Sequence, residues 1–311
     1  MLSERELTAQ LKSFFPTHRD VIIGIGDDAA VVRQRHERCV LCCDPVVGSV
    51  HFSEDTEPAL IGRKAVNRNL SDLAAMGAVA DWLLVSLVVP RNVSDEYLRS
   101  ILLGVRKAAS AARCHVVGGD IATSDGPLVV TVSAFGHLLG RALKRSGASV
   151  GDTLHVTGPL GGSLAGHHLR FRPPLLEGLW LARQSCVTAA MDVSDGLLLD
   201  LETMLLASGG LGAELNAKAI PIRRVAYTRA KGDARVALRS ALSDGEDHVL
   251  LWSQRSKGAL RRGGPLTDRA RKPIGKILPD PGLWLVDGDE RTRLQPVGFQ
   301  HHWRSNDKVA T

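Results

Sequence analysis

The sequence has no apolar run long enough to cross a bilayer. Its longest, Trp82 to Val89, falls far short of the roughly 18 to 20 residues such a span requires. It also lacks a basic-then-apolar start: Met1-Leu2-Ser3-Glu4-Arg5-Glu6 is not built like a signal peptide, so a cytoplasmic address is expected. Cysteine is scarce, five residues with no CxxC spacing, which excludes a disulfide-stapled scaffold and a zinc ribbon. Cys39, Cys42, Cys43, Cys114 and Cys186 are expected as buried, reduced thiols. There is no GxxxxGK[ST], so the chain is not a P-loop enzyme, and no fixed-period repeat, so it is not a solenoid.

What is present is ordinary globular material of 311 residues, 44% hydrophobic and 23% charged, long enough for two domains. The net charge of +6 is local in origin, because Arg255 to Lys276 holds eight Lys/Arg against one acid. That segment contains no aromatic residue for base stacking and is broken by Gly263-Gly264-Pro265, so nucleic acid is not an expected partner. It reads as a solvated loop or a phosphate-attracting rim.

Residues 7 to 15 have helical spacing, followed by extended segments at Val21 to Ile25 and Ala29 to Val32. Cys39 to Cys43 reads as a buried strand ending at Asp44. Thr56 to Met76 carries three-to-four spacing with Pro58 in its first turn and Gly77 as a stop, which predicts a long helix. A strand at Trp82 to Val89 follows, then a helix over Ser94 to Ala112, Val116-Val117 leading into Gly118-Gly119-Asp120, and a strand at Leu128 to Leu138. Small and polar residues near Gly147 to Asp152 place a domain boundary there, giving units 1–148 and 149–311. The second unit opens with a strand at Thr153 to Thr157 and continues through helices near 175–184 and 196–208. Strands and helices alternate in both halves, so the class is α/β to α+β with two domains.

The chemistry lies in where the aspartates fall. Asp27-Asp28, Asp44, Asp72, Asp120, Asp192 and Asp195 each sit at or near the end of an apolar element, mostly beside Gly or Ser. Carboxylates pointing into one pocket repel unless a cation neutralises them, and hard oxygen ligands select Mg²⁺ together with substrate phosphates. A nucleotide-dependent phosphoryl site is the natural reading, with Asp44, Asp72, Asp120, Asp192 and one of the Asp27-Asp28 pair converging on one cleft, since adjacent side chains in an extended segment face opposite ways. On the long helix, Ala65, Asn69, Asp72 and Met76 share a stripe, so Asp72 can face a pocket while Leu73 faces the core. Gly24-x-Gly26-x-x-Ala29 imitates a dinucleotide fingerprint, but two carboxylates would meet the pyrophosphate and strands follow where a helix is needed. The loop Gly158 to Gly166 reads equally as a phosphate cradle or a tight turn.

Taken in order, Gly24 to Ala29, Asp44 to Phe52, Asn69 to Ala78, Gly118-Gly119-Asp120, Gly140 to Ala148, Met191 to Leu197, Asp244 to Asp247 and the end at Gly298 to His302 resemble the thiamine-monophosphate kinase family. The resemblance implies the fold of the aminoimidazole-ribonucleotide-synthetase-like ATP enzymes: an N-terminal α/β domain that dimerises and a C-terminal α+β domain. It also implies transfer of the γ-phosphate of ATP to thiamine monophosphate with several Mg²⁺ ions, and a homodimer. By matching position, Asp28, Asp44, Asp72, Asp120, Asp192 and Asp195 would bind Mg²⁺, with Cys43 contributing at Asp44. Gly119, Asp120, Arg145 and Ser194 would lie at ATP. His51 would meet the thiamine phosphate, and Glu246 and Phe299 the thiamine part. This chain departs from the family at Cys42-Cys43, where Ser or Thr usually precedes the aspartate. It departs also at Gly162, where an acid is common, in the short stretch from there to Met191, and at His248-Val249, where an aromatic-Glu pair is usual. Alternative readings are another ATP enzyme of the same superfamily and a nucleotide-binding regulator without turnover.

Overall fold

The structure is a computed structural model that describes residues 10–25, 29–34 and 36–300. Its first half comprises β1 (Val21–Ile23), β2 (Val31–Val32), β3 (Cys39–Val47), α1 (Pro58–Ala75), β4 (Ala78–Pro90), α2 (Asp95–Ala111), β5 (His115–Ser124) and β6 (Val129–Leu138). β1 and β2 form a small antiparallel ribbon, and the other four strands form a sheet in the order β3-β6-β4-β5. Only β4 and β5 run parallel, joined by α2 as the crossover that parallel strands require.

Burial alternates along β4 and β6, the mark of a sheet covered on one side. Leu83, Val85 and Leu87 from β4, with Val130, Val132 and Ala134 from β6, pack under Ile61, Ala65 and Leu73 of α1 and Ile101 and Val105 of α2. The two helices cross at backbone contact: a Cβ on Gly62 would lie 2.1 Å from the Ile101 carbonyl oxygen, and one on Gly104 1.9 Å from that of Ala59. Helix ends follow the sequence signals. Pro58 occupies the first turn of α1, Gly77 follows it at φ +68°, and the Ser94 hydroxyl accepts from the Tyr97 amide at 3.2 Å to cap α2.

Two expectations are corrected here. β3 does not end at Asp44 but runs through Pro45 to Val47, because it is the edge strand, where a missing N–H costs the sheet nothing. Nor are all the cysteines buried. Cys114 and Cys186 are, Cys42 is half-buried, and Cys39 and Cys43 are exposed. On an edge strand with one covered face, alternate residues of even an apolar run point outward, Leu41 among them at 64% exposure.

The second half comprises β7 (Thr153–Val156), α3 (His167–Arg170), α4 (Leu175–Leu181), β8 (Val187–Asp192), α5 (Leu197–Ala207), β9 (Gly212–Asn216), α6 (Arg224–Arg229), α7 (Ala234–Ser243), β10 (Leu250–Gln254), β11 (Gly275–Leu278), β12 (Gly282–Asp287) and β13 (Glu290–Leu294). Its seven strands are ordered β13-β12-β9-β11-β7-β10-β8, with β9 and β12 the parallel pair. Leu154, Val156, Met191, Leu197, Leu201, Leu215 and Leu251 form its core. The basic segment is not a free solvated loop. Leu266, Ala270 and Ile274 are buried, and the Arg271 guanidinium lies 5.2 Å from the Trp180 ring, so the segment straps across α4. Among the described residues no helix is long and apolar enough to cross a membrane.

α1 joins the halves. It packs on α2, β3 and β6 on one side and on α3, α4 and β8 on the other. That double duty explains why 12 of its 18 residues are buried, several of them polar.

Candidate active site

α1 presents a polar seam to the second half at a spacing that keeps residues on one face: Lys64, Asn67, Arg68 and Ser71. Three of its ties cross the halves. The Ser71 hydroxyl donates to Asp192 Oδ2 at 2.7 Å, and Asn67 Nδ2 donates to the Phe171 carbonyl at 2.7 Å. Lys64, fully buried, donates to the His51 carbonyl at 2.6 Å and forms an ion pair with Glu246 Oε2. Burial lowers the Lys64 ammonium's pKa, which Glu246 partly restores. For Glu246, burial acts upward, but Lys64, His248 and Arg68 outweigh it and hold the carboxyl below its usual range.

Three carboxylates meet beside this seam. Asp192 ends β8 and is buried; burial acts upward on it, while His248, Ser71 and Arg145 hold its pKa below the ordinary value. Asp72 is pushed up to about 7 by burial and by the charges of Asp192 and Asp44, against the pull of Arg68 and Arg145. Asp44 is fixed through its backbone: its amide donates to Asn69 Oδ1 at 2.9 Å, and Asn69 Nδ2 donates back to its carbonyl at 3.3 Å. Burial and the same two aspartates raise the Cys42 thiol's pKa, so it stays protonated. Repelling carboxylate oxygens suit a hard divalent cation. Among the described residues no three His, Cys, Asp or Glu side chains are grouped to hold a metal ion by themselves.

The expected ligand set does not all gather there. Cross-strand register puts Pro45, Thr131, Ser86 and Asp120 in one row and Asp44, Val132, Val85 and Gly119 in the next. Adjacent rows face opposite sides. Val132 and Val85 lie under the helices, so Asp44 is on the helix side and Asp120 on the open side. Asp120 and Gly119 border a cleft of about 980 Å³ with Ser86, Thr131 and Ser133. Cys43 also faces the open side, its sulfur accepting from the Ser133 hydroxyl at 3.3 Å. Asp28 lies outside the described residues, as does Asp27.

The remaining expected residues surround the carboxylates. Arg145 is exposed and acts on both Asp72 and Asp192. Ser194 and exposed Asp195 form the turn after β8, where the Ser194 carbonyl accepts from the Glu246 amide at 2.7 Å. The Phe299 amide donates to the Asp195 carbonyl at 2.9 Å, leaving its half-exposed ring beside the same turn. His51 is buried, its Nδ1 accepting from the Val47 amide at 3.0 Å.

The Gly158 to Gly166 loop resolves as a tight turn, because its amides are already used. Gly161 N–H donates to both Asp247 oxygens at 3.1 Å, and Gly162 N–H to Asp244 at 2.8 Å. Arg223 completes the clamp on Asp247 at 2.6 Å. Gly162, at φ +68°, has no room for a side chain, since a Cβ would lie 2.8 Å from Val225 Cγ1. Flanking Asp247, Glu246 and His248 take left-handed φ of 53° and 49°, a conformation non-glycine residues rarely hold without enforcement. The enforced turn aims Glu246 at Lys64 and stacks His248 on Phe171 at 4.2 Å, with its Nδ1 3.5 Å from Asp192.

Sequence reasoning missed Lys64, Arg68 and Asp200. Asp200 accepts from the Asp195 and Gly196 amides at the start of α5, and is raised to about 8 by burial and by Asp192 and Asp195. For Lys64 and Arg68 a signal existed: two cations four residues apart on a helix face that Asn67 and Ser71 continue as a polar stripe.

The chain is similar to known proteins along most of its length. Residues 26–138 match the family described as AIR synthase related protein, N-terminal domain. A thiamine-monophosphate kinase of Rhodopirellula baltica is 38% identical over 96% of this chain and 97% of its own length. The crystal structure of thiamine-monophosphate kinase from Stenotrophomonas maltophilia superposes with a TM-score of 0.75 at 30% identity, over 89% of this chain and 93% of that one. AaThiL complexed with AMPPCP and TMP superposes at 0.76 with 26% identity, over 97% of both chains. Relatives matched nearly end to end, at up to 38% identity, assign the chain to the thiamine-monophosphate kinase family.

Proposed function

We propose that the chain transfers the γ-phosphate of ATP to thiamine monophosphate, giving thiamine diphosphate and ADP. The observation that carries this reading is the mutual crowding of Asp44, Asp72 and Asp192, with Arg145 and Arg68 at their margin. The acceptor is an oxygen of the substrate's own phosphate, already ionised near neutral pH, so no general base is required and catalysis is alignment and charge neutralisation. Asp44, Asp72 and Asp192 would hold Mg²⁺ between them, with Asp28 and Asp195 adding acids around the phosphates, while Asp120, on the open face of the sheet, would serve an ion apart from that cluster. Mg²⁺ bound there supplies positive charge for the phosphoryl group in flight. Gly119 and Asp120 border the open cleft on the ATP side, and Arg145 and Ser194 reach the polyphosphate. His51, Glu246 and Phe299 line the thiamine side.

Units 1–148 and 149–311 then divide the work, the first carrying Asp44, Asp72 and the open cleft, the second Asp192 and the Glu246 turn. We place the protein in the cytoplasm as a homodimer. Exposed Leu41 on the open side of the four-stranded sheet suits a second copy there, and sedimentation of the purified chain measures it.

The test of the activity is product analysis with ATP, Mg²⁺ and thiamine monophosphate. Thiamine diphosphate and ADP are expected in equal amounts. ATP binding without thiamine diphosphate would overturn the kinase reading.

A further inference from the structure

The Arg68 guanidinium stands between two carboxylates without bonding to either. Its Nη2 is 3.8 Å from Asp44 Oδ2 and its Nη1 3.9 Å from Glu246 Oε1, both beyond hydrogen-bond length. Its Nε and Nη1 are buried and have no hydrogen-bond partner. A guanidinium carries five N–H donors, and burying them unsatisfied is among the more costly arrangements a fold retains. Glu246 is not free to close the gap, and Asp44 projects from a fixed stretch of backbone. Asn69 pins the Asp44 backbone, and Lys64 holds Glu246.

We propose that Arg68 is the receptor for the acceptor's phosphate, a specificity-determining residue that selects a phosphorylated over an unphosphorylated thiamine. This rests on the kinase reading above and deepens it. A tetrahedral dianion accepts two N–H bonds from a guanidinium fork, geometry that neither Asp44 nor Glu246 offers from its present position. The location fits the acceptor rather than ATP. Asp44 opens toward the crowded carboxylates where transfer occurs, and Glu246 and His51, both tied to Lys64, lie on the thiamine side. A phosphate on Arg68 therefore has the reacting centre on one flank and its own organic part on the other.

The test compares wild type with Arg68→Met, which keeps the bulk and removes the fork, and Arg68→Lys, which keeps the charge and loses the geometry. In Arg68→Met, KM for thiamine monophosphate should rise about tenfold or more, the worth of one charge-assisted hydrogen bond, while KM for ATP holds within about twofold. Arg68→Lys should fall between. The Kd for unphosphorylated thiamine should not change, and the rise in Tm that inorganic phosphate gives wild type should vanish in Arg68→Met. Tm without ligand should hold or increase, because unsatisfied donors are removed. A purely structural ion pair predicts the opposite: a lower Tm, and equal loss for thiamine and its monophosphate. Either of those results, or an unchanged KM and phosphate response, overturns the assignment while leaving the kinase reading intact. If wild type forms no thiamine diphosphate yet gains Tm from phosphate through Arg68, the kinase reading fails and the phosphate receptor stands.

Discussion

At the scale of single residues, the site stores unfavourable charge. Asp72 titrates near 7 because burial and two neighbouring carboxylates disfavour its ionised form. At pH 8 that ionised form works against the fold, so Asp72→Asn should stabilise the metal-free protein by roughly 1–3 kcal/mol while abolishing phosphoryl transfer. Chemical denaturation beside a turnover assay reads both. A destabilised Asp72→Asn would mean that the carboxylate serves as a structural cap.

His155 and His167 store a different strain. Burial lowers both imidazoles to about 4 from an ordinary 6.5. Below pH 6.5 the unfolded chain takes up protons that the folded chain refuses until about pH 4. Stability is therefore complete above pH 6.5 and declines as pH falls through that window, by as much as about 3 kcal/mol per histidine. His155→Gln should flatten the decline, and urea unfolding at pH 7.0, 5.5 and 4.5 measures it. Parallel losses in variant and wild type would place the acid sensitivity elsewhere.

At the scale of elements, helix–helix contact is the most constrained feature. Gly104→Ala drives a methyl group into the Ala59 carbonyl and forces α1 off α2, at a cost of about 2–3 kcal/mol or more. Because α1 also carries Lys64, Arg68 and Asp72, activity should fall with stability, and recover in part on cooling. By contrast, neutralising Arg261, Arg262 and Lys272 on the strap should leave turnover unchanged within about twofold, since they project away from the packed Leu266 and Ala270. A salt-sensitive loss of RNA affinity in that variant would revive a nucleic-acid role.

Elements with local causes were legible in the sequence. Pro58 and Gly77 bracket α1, Ser94 starts α2, and the stripe through Asn69 and Asp72 does face β3 while Leu73 enters the core. Features that depend on sheet position were not legible. Pro45 appeared to close a strand because nothing local says that β3 is an edge, and the exposure of Cys39 and Cys43 follows from the same fact. The side of the sheet that Asp120 takes is a matter of register over three strand pairs. The occupied amides of Gly161 and Gly162 depend on Asp244 and Asp247, more than 80 positions away.

At the scale of the whole molecule, the site exists only where the two halves meet. Ser71 and Asp192 are 121 positions apart in the chain, Asn67 and Phe171 104. Loop-closure entropy must be met before contacts at such separation return anything, so each half can gain its sheet and helices well before these ties form. Renaturation should accordingly be biphasic to different probes. Far-ultraviolet circular dichroism should recover first, and catalytic competence later, with the slow step. Accumulated intermediates at that stage would expose the polar seam of α1, Lys64 and Arg68 included, to solvent. A nascent chain on the ribosome meets the same delay: with Asp192 still untranslated, Ser71 has no acceptor, and the enzyme's working centre is among the last parts of the protein to mature.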